Sequence, residues 1–355
     1  MKQILFLFTL FLVVSTYTLG QSNLSYENLN TIKQQENKIK GYSEEMINDS
    51  HWYMRFLADS LFTRGFVKAL KINNSFDYPF DSITSVSKLY APDSSFRIFT
   101  WQMMRDYTYY RQRGAIQIHT DDGSLKLYPL FDVSDFTTSP TDSIRDPKNW
   151  IGAIYYKILM NTVGNKKVFT LLGYDENGPR SNKKWIDILT FDETGKPQFG
   201  GNYFKFEPDT IKNKKPTLRY CVEYKKESKM RVLFDKEEQM IIFDHLISEN
   251  DEPENLYTYI PDGSYEGFKW KDNHWEHVAK LATQFLGNGN APLPSMLLDK
   301  EGNIDQKKLE EMSKKNLLLQ EEEIKENSDK KVEPKKAKKV KFPTPSKLPN
   351  DMNEY

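Results

Sequence analysis

The chain has 355 residues, with 50 Lys+Arg against 50 Asp+Glu and hydrophobic residues at 38 %. This even balance excludes a nucleic-acid binder that works by a general excess of Lys and Arg, and no specific nucleic-acid binding is expected. The composition also excludes a polytopic membrane protein, and the lone Cys221 excludes an internal disulfide scaffold.

In chain order, residues 1–20 read as an export signal. Lys2 supplies the positive start, Ile4–Val14 is apolar apart from Thr9, and small or polar residues lead to Gly20-Gln21. That apolar run is too short for the roughly 20 residues that a spanning helix needs, so it predicts cleavage rather than anchorage. No Cys stands at the junction for lipid attachment. The expected destination is the periplasm or the extracellular space, and the protein is not expected to be a lipoprotein.

Residues 21–75 predict an N-terminal helical segment. Its first part, to Lys40, is polar and weakly amphipathic, and predicts a loose stretch. Further on, Trp52, Phe56, Leu57, Leu61, Phe66, Val67 and Leu70 recur at spacings that predict one buried helical face. Asp49 or Ser50 is the expected N-cap.

From residue 76 to 299 the pattern is β-rich. Phe96–Trp101 alternates with a strand period. Ala115–His119 and Leu125–Leu130 flank Asp122-Gly123 as a hairpin. Ile151–Leu159 and Val168–Tyr174 flank Gly164. Strands at Trp185–Phe191, Tyr203–Phe206, Leu218–Tyr224, Met230–Phe234, Met240–Leu246 and Tyr257–Ile260 follow. A turn at Pro261-Asp262-Gly263 and strands at Gly267–Trp270 and Trp275–Val278 close the series. No helical pattern separates them. The expected class is mainly β: an antiparallel meander of about a dozen strands, propeller-like or folded as a bent sandwich or barrel. The Asp/Gly turns fall at irregular intervals, so no blade repeat is assigned.

Pro79-Phe80-Asp81-Ser82, Tyr90-Ala91-Pro92-Asp93, Phe96–Trp101, Leu171-Leu172-Gly173-Tyr174-Asp175 and Leu189-Thr190-Phe191-Asp192 to Phe199-Gly200 carry a resemblance. On these residues the chain resembles a group of uncharacterised exported β-rich bacterial proteins with no assigned activity. The resemblance spans about 76 to 278 and implies export and one long β-rich domain. It carries no catalytic residue over.

Residues 300–329 predict a charged helical linker, with Glu310/Lys314 and Glu311/Lys315 as i,i+4 pairs. Residues 330–355 predict a disordered tail. Lys330 to Lys347 holds eight Lys against Glu333, and Pro334, Pro343, Pro345 and Pro349 interrupt any helix. The block Lys330–Lys341 is either a solvated tail or a weak electrostatic contact with an acidic partner.

Catalytic patterns are sparse. His274-Trp275-Glu276-His277 lacks the spacing of a zinc helix, and Lys271–His274 reads instead as a hairpin turn. Asp299–Asp305 places Lys308 where a calcium loop needs a bidentate carboxylate. Cys221 lies in an apolar strand, where a buried thiol is the default. No metal and no cofactor is assigned. The strongest compositional signal is aromatic, with Phe 22, Tyr 20 and Trp 6. Arg105, Tyr107, Tyr109, Tyr110, Arg111 and Arg113 cluster between two expected strands. With Trp101 and Trp150 as neighbours, they form the candidate ligand-binding surface, since Tyr, Trp and Arg combine large contact area with directional bonds. The alternative is an ordinary hairpin rim. The expected function is a non-catalytic binding or interaction module for a protein or glycan of the cell envelope. The alternative is a carboxylate-dependent hydrolase acting on a glycan or peptide.

Overall fold

Ser25 starts the first helix: its side chain accepts from the Asn28 backbone N–H at 3.2 Å and opens α1, Tyr26–Asn48. The structure, a computed structural model, describes residues 24–106, 108–206, 217–279 and 281. The expected leader, charged linker, tail and Asp299–Asp305 turn lie outside the described residues. The stretch expected to be loose to Lys40 is continuous helix, because Ile32, Glu36, Ile39, Ser43 and Met46 form a buried stripe. The second helix, α2, is Trp52–Leu70. Gly65 permits the close approach of the pair, since a Cβ there would fall 2.3 Å from Cγ2 of Ile39.

Two expectations about α2 are corrected. His51, without a side-chain capping bond, is its N-cap. Asp49 is instead used one turn earlier, ending α1 and accepting from the His51 N–H at 2.7 Å. The buried face is Arg55, Ala58, Asp59, Phe62, Phe66, Ala69 and Leu70, so Trp52 and Leu57 point outward. Two charged residues lie within this face because each has partners on the sheet beneath.

Fourteen strands follow among the described residues, in three sheets. The first contains β1 (Ser87–Tyr90), β2 (Phe96–Asp106), β3 (Tyr109–Ile118) and β4 (Lys126–Phe131) in that order. The second contains β5 (Ile154–Val163), β6 (Lys166–Asp175), β7 (Ser181–Phe191), the short β8 (Pro197–Phe199), and β10 (Tyr220–Lys225). The third contains β11 (Val232–Asp235), β12 (Met240–Ser248), β13 (Tyr259–Lys271) and β14 (His274–Val278), with β9 (Phe204–Lys205) on its edge. Pairing is antiparallel apart from the parallel contact of β14 with β9. The fold is mainly β, and no barrel closes among the described residues. The meander splits into separate sheets, as a sheet of this strand number must if it neither curls nor closes.

The sheets stack face to face through strand alternation. On β2, Phe96 and Ile98 enter a core shared with the second sheet, while Phe99 and Trp101 enter the core under the helices. On β6, Phe169 and Leu171 face the first sheet, while Val168 and Leu172 face the third. Helices, first sheet, second sheet and third sheet are therefore four successive layers, and the two inner sheets are buried on both faces.

Gly123 (φ 72°) and Gly164 (φ 59°) turn the β3–β4 and β5–β6 hairpins. Asp272 (φ 48°) and Asn273 (φ 66°) turn β13 into β14. Pro261-Asp262-Gly263 is not a hairpin turn. It lies inside the 13-residue β13, and the register against β12 shifts between Asp244 and Leu246. The helix pair and the three sheets bring one corner, at residues 47–57, beside the β2–β3 hairpin.

Candidate functional site

The residues expected to form one aromatic–arginine surface divide into a buried set and an outer set. Trp150 is wholly buried. Its indole donates to the Tyr155 hydroxyl at 3.0 Å, which donates to Asp187 Oδ2 at 3.1 Å. Arg219 Nε donates to Asp187 Oδ1 at 3.2 Å, and its remaining N–H groups reach the carbonyls of Pro140, Ser143 and Phe199. Burial and the Asp187 charge push the Tyr155 hydroxyl far up, so it acts as a fixed donor. This network holds the core between the first two sheets, and Trp150 has no place on a contact surface.

Trp101 and Arg113 belong to a second buried centre. Asp59 on α2 is fully buried, accepting from Trp101 Nε1 at 2.9 Å and pairing with Arg113 Nε at 2.6 Å. Burial raises the Asp59 carboxyl, and the Arg113 charge opposes that rise. Arg55 is the other charged residue of the buried α2 face. It donates to the carbonyls of Asp49, Met104 and Arg105, tying the helix corner to the end of β2. Burying either charge without these partners would cost several kcal/mol, on the order of 3–5.

The remaining expected residues are not in a loop. Apart from Tyr107, which lies outside the described residues, they sit on β2 and β3, which extend to Asp106 and from Tyr109. Arg105 lies over the Trp52 ring at 5.3 Å and Arg111 over the Phe56 ring at 5.3 Å. Tyr109 and Tyr110 are half-buried, and the Lys226 ammonium stands 5.0 Å from the Tyr110 ring. Burial is the largest cause that raises the Tyr109 hydroxyl.

These two arginines border an apolar surface, of which sequence periodicity places Trp52 and Leu57 in the core. Ile47, Trp52, Tyr53, Met54 and Leu57 are exposed by 40, 48, 46, 38 and 49 %. Trp52 packs edge-on against Tyr53 and Phe56. Ile47 also lines a groove of about 390 Å³ with Ser85, Trp101, Gln102 and Tyr174. Two buried oxygens of this lining, Ser85 Oγ and Gln102 Oε1, have no hydrogen-bond partner within the chain. An apolar corner beside polar acceptors and arginines can hold an extended or helical segment that carries apolar and acidic side chains.

Six aspartates are committed to backbone turns. Asp93, Asp106, Asp122, Asp132, Asp192 and Asp262 each accept from the backbone N–H two residues on, and from the Ser or Thr hydroxyl there. Asp175 is different: burial lifts it to about 6, while its Oδ1 accepts from Gln112 Nε2 at 2.7 Å and from the Asn177 N–H at 2.8 Å. His274 and His277 occupy opposite faces of β14. His277 bonds Glu266 Oε2 at 2.6 Å, and His245 contacts both Glu266 and Asp262. Among the described residues, no group of three or more His, Cys, Asp or Glu side chains is arranged to hold a metal ion. No helix of the described residues is long and apolar enough to cross a membrane.

Compared with family models, curated proteins and solved structures, the chain matches none.

Proposed function

We propose that the chain is an exported, non-catalytic interaction module of the cell envelope that holds a partner protein at the corner between α1 and α2. The observation that carries this reading is the contiguous exposure of Trp52, Tyr53, Met54 and Leu57 beside Arg105 and Arg111. Exposed apolar area is ordinary when scattered, but a joined patch rimmed by charge has the make-up of a protein contact. The arginines favour a partner segment with acidic residues next to its apolar anchors. The leader-like residues 1–20 and the resemblance to exported proteins support the location.

Photo-crosslinking in intact cells tests this. A crosslinker replacing Tyr53 should give one discrete adduct, and one replacing Leu233 on the third sheet should not. Arg105→Glu with Arg111→Glu should remove the adduct while leaving the melting temperature within a few degrees. Equal labelling from both positions, or an adduct insensitive to the arginines, would reject the corner as the contact.

The second reading is a carboxylate-dependent hydrolase, favoured only by the raised Asp175 carboxyl. The engagement of that carboxyl by Gln112 and Asn177, and the use of six other Asp residues in turns, support the binding module over it.

A further inference from the structure

Where the edges of the three sheets meet, on the side of the second sheet away from the helices, the chain forms a cavity of about 360 Å³. It is lined by β5 residues 157–161, the β11–β12 hairpin, β13 and β14, with Pro92 from the first sheet. That volume suits one or two sugar-sized units.

Its chemistry is one-sided. Lys157, Lys236 and Lys269 line it, and no Asp or Glu does. None of these three lysines has a carboxylate within 4.0 Å among the described residues. Glu237 and Glu238 follow Lys236 in the β11–β12 turn without lining the cavity, and three other nearby acids are engaged. Asp93 pairs with Lys167 at 2.6 Å, Glu276 pairs with Lys205 at 3.0 Å, and Asp235 accepts from the N–H groups of Glu237 and Glu238. Three ammonium groups and no carboxylate therefore line this concave surface.

The wall between the lysines is aromatic. Trp270 is half-buried and packs edge-on against the buried Trp275, with ring centroids 5.2 Å apart. The Trp275 indole is fixed by its bond to Thr170 Oγ1 at 2.8 Å, which makes the wall rigid. Asn161 and Gln239 add amides at the rim. Lysine ammonium groups on flexible stems act as point charges and do not impose the planar fork of arginine. Aromatic faces accept the C–H side of a pyranose ring, and amides match its hydroxyls.

We infer that this junction of the three sheets is a binding site for an anionic saccharide, a sugar ring carrying carboxylate groups. It does not involve the helix corner and does not rest on the partner proposed there.

Titration calorimetry on the purified full-length chain tests the site with tetragalacturonate, neutral cellotetraose and sodium phosphate. Tetragalacturonate should bind and cellotetraose should not, and the affinity should fall steeply as salt rises. Lys157→Gln, Lys236→Gln and Lys269→Gln combined should weaken binding at least tenfold with an unchanged melting temperature, since these side chains hold no ion pair among the described residues. Trp270→Leu should weaken binding at unchanged charge. The Arg105→Glu, Arg111→Glu variant should bind tetragalacturonate like the wild type, which separates this site from the helix corner. Equal binding of neutral and acidic oligomers, no effect of the lysine changes, or displacement of the uronate by equimolar phosphate would each overturn the inference.

Discussion

At the scale of the residue, the informative side chains are the charged ones that lie inside. Asp59, Asp187, Arg55 and Arg219 are all buried, and each meets named hydrogen-bond or ion-pair partners. Sequence reasoning missed them, because an Asp or Arg is placed outside by default and only its distant partners justify burial. Composition places Trp150 and Trp101 as neighbours of a ligand surface for the same reason: it cannot tell an indole that donates within a buried network from one that faces a ligand. Asp175 offers a test. Burial raises its folded pKa to about 6 from an ordinary value of 3.8, so the native state holds the proton more tightly than the unfolded chain. The sign follows: the protonated residue costs nothing below pH 4, and stability is lost as pH rises through 6. The shift corresponds to about 3 kcal/mol at neutral pH. Asp175→Asn keeps an oxygen for Gln112 and Asn177 but carries no charge. It should raise the denaturation midpoint at pH 7.5 and leave it nearly unchanged at pH 4. An equal effect at both pH values would mean that ionisation of Asp175 is not the cause.

At the scale of the element, hairpins were the most legible features. Gly123, Gly164, Asp272 and Asn273 each adopt the positive φ that a tight turn demands, and local residue chemistry alone dictates that. The interior Pro261-Asp262-Gly263 misled because its turn chemistry produces an irregularity within β13 instead of a reversal. The helices were legible as helices, but the buried face of α2 was not, since hydrophobic count favours Trp52 and Leu57 while the sheet selects Arg55 and Asp59. The α1–α2 corner also carries a correctable weakness. His51 caps α2 without a side-chain bond, and the first turn holds no acid. His51→Ser should supply the missing acceptor and stabilise the protein by about 0.5–1 kcal/mol, read as a higher urea midpoint at unchanged slope. A lowered midpoint would show that the His51 ring, tilted against Tyr53 with centroids 5.4 Å apart, matters more than the cap.

At the scale of the whole molecule, four layers share their cores in pairs. β2 contributes to the core under the helices and to the core between sheets, and β6 links the first and third sheets in the same way. A layer cannot unfold without exposing its neighbour's apolar face. Helix loss followed by far-ultraviolet dichroism and tertiary loss followed by near-ultraviolet dichroism should therefore coincide in urea. An early helical transition would show that the α1–α2 layer is a separate cooperative unit. The amino-acid sequence by itself determined the mainly β class, the antiparallel order and the tight turns, because each of these depends on residues adjacent along the chain. Only the tertiary structure decided that the meander splits into three stacked sheets, that Trp101, Arg113 and Trp150 are internal, and that Trp52 and its neighbours face outward. It also brought Lys157, Lys236 and Lys269 to one cavity from two strands and a turn far apart in sequence. Burial and charge pairing are properties of neighbours in space, and no local pattern records which distant strand arrives beside a given side chain.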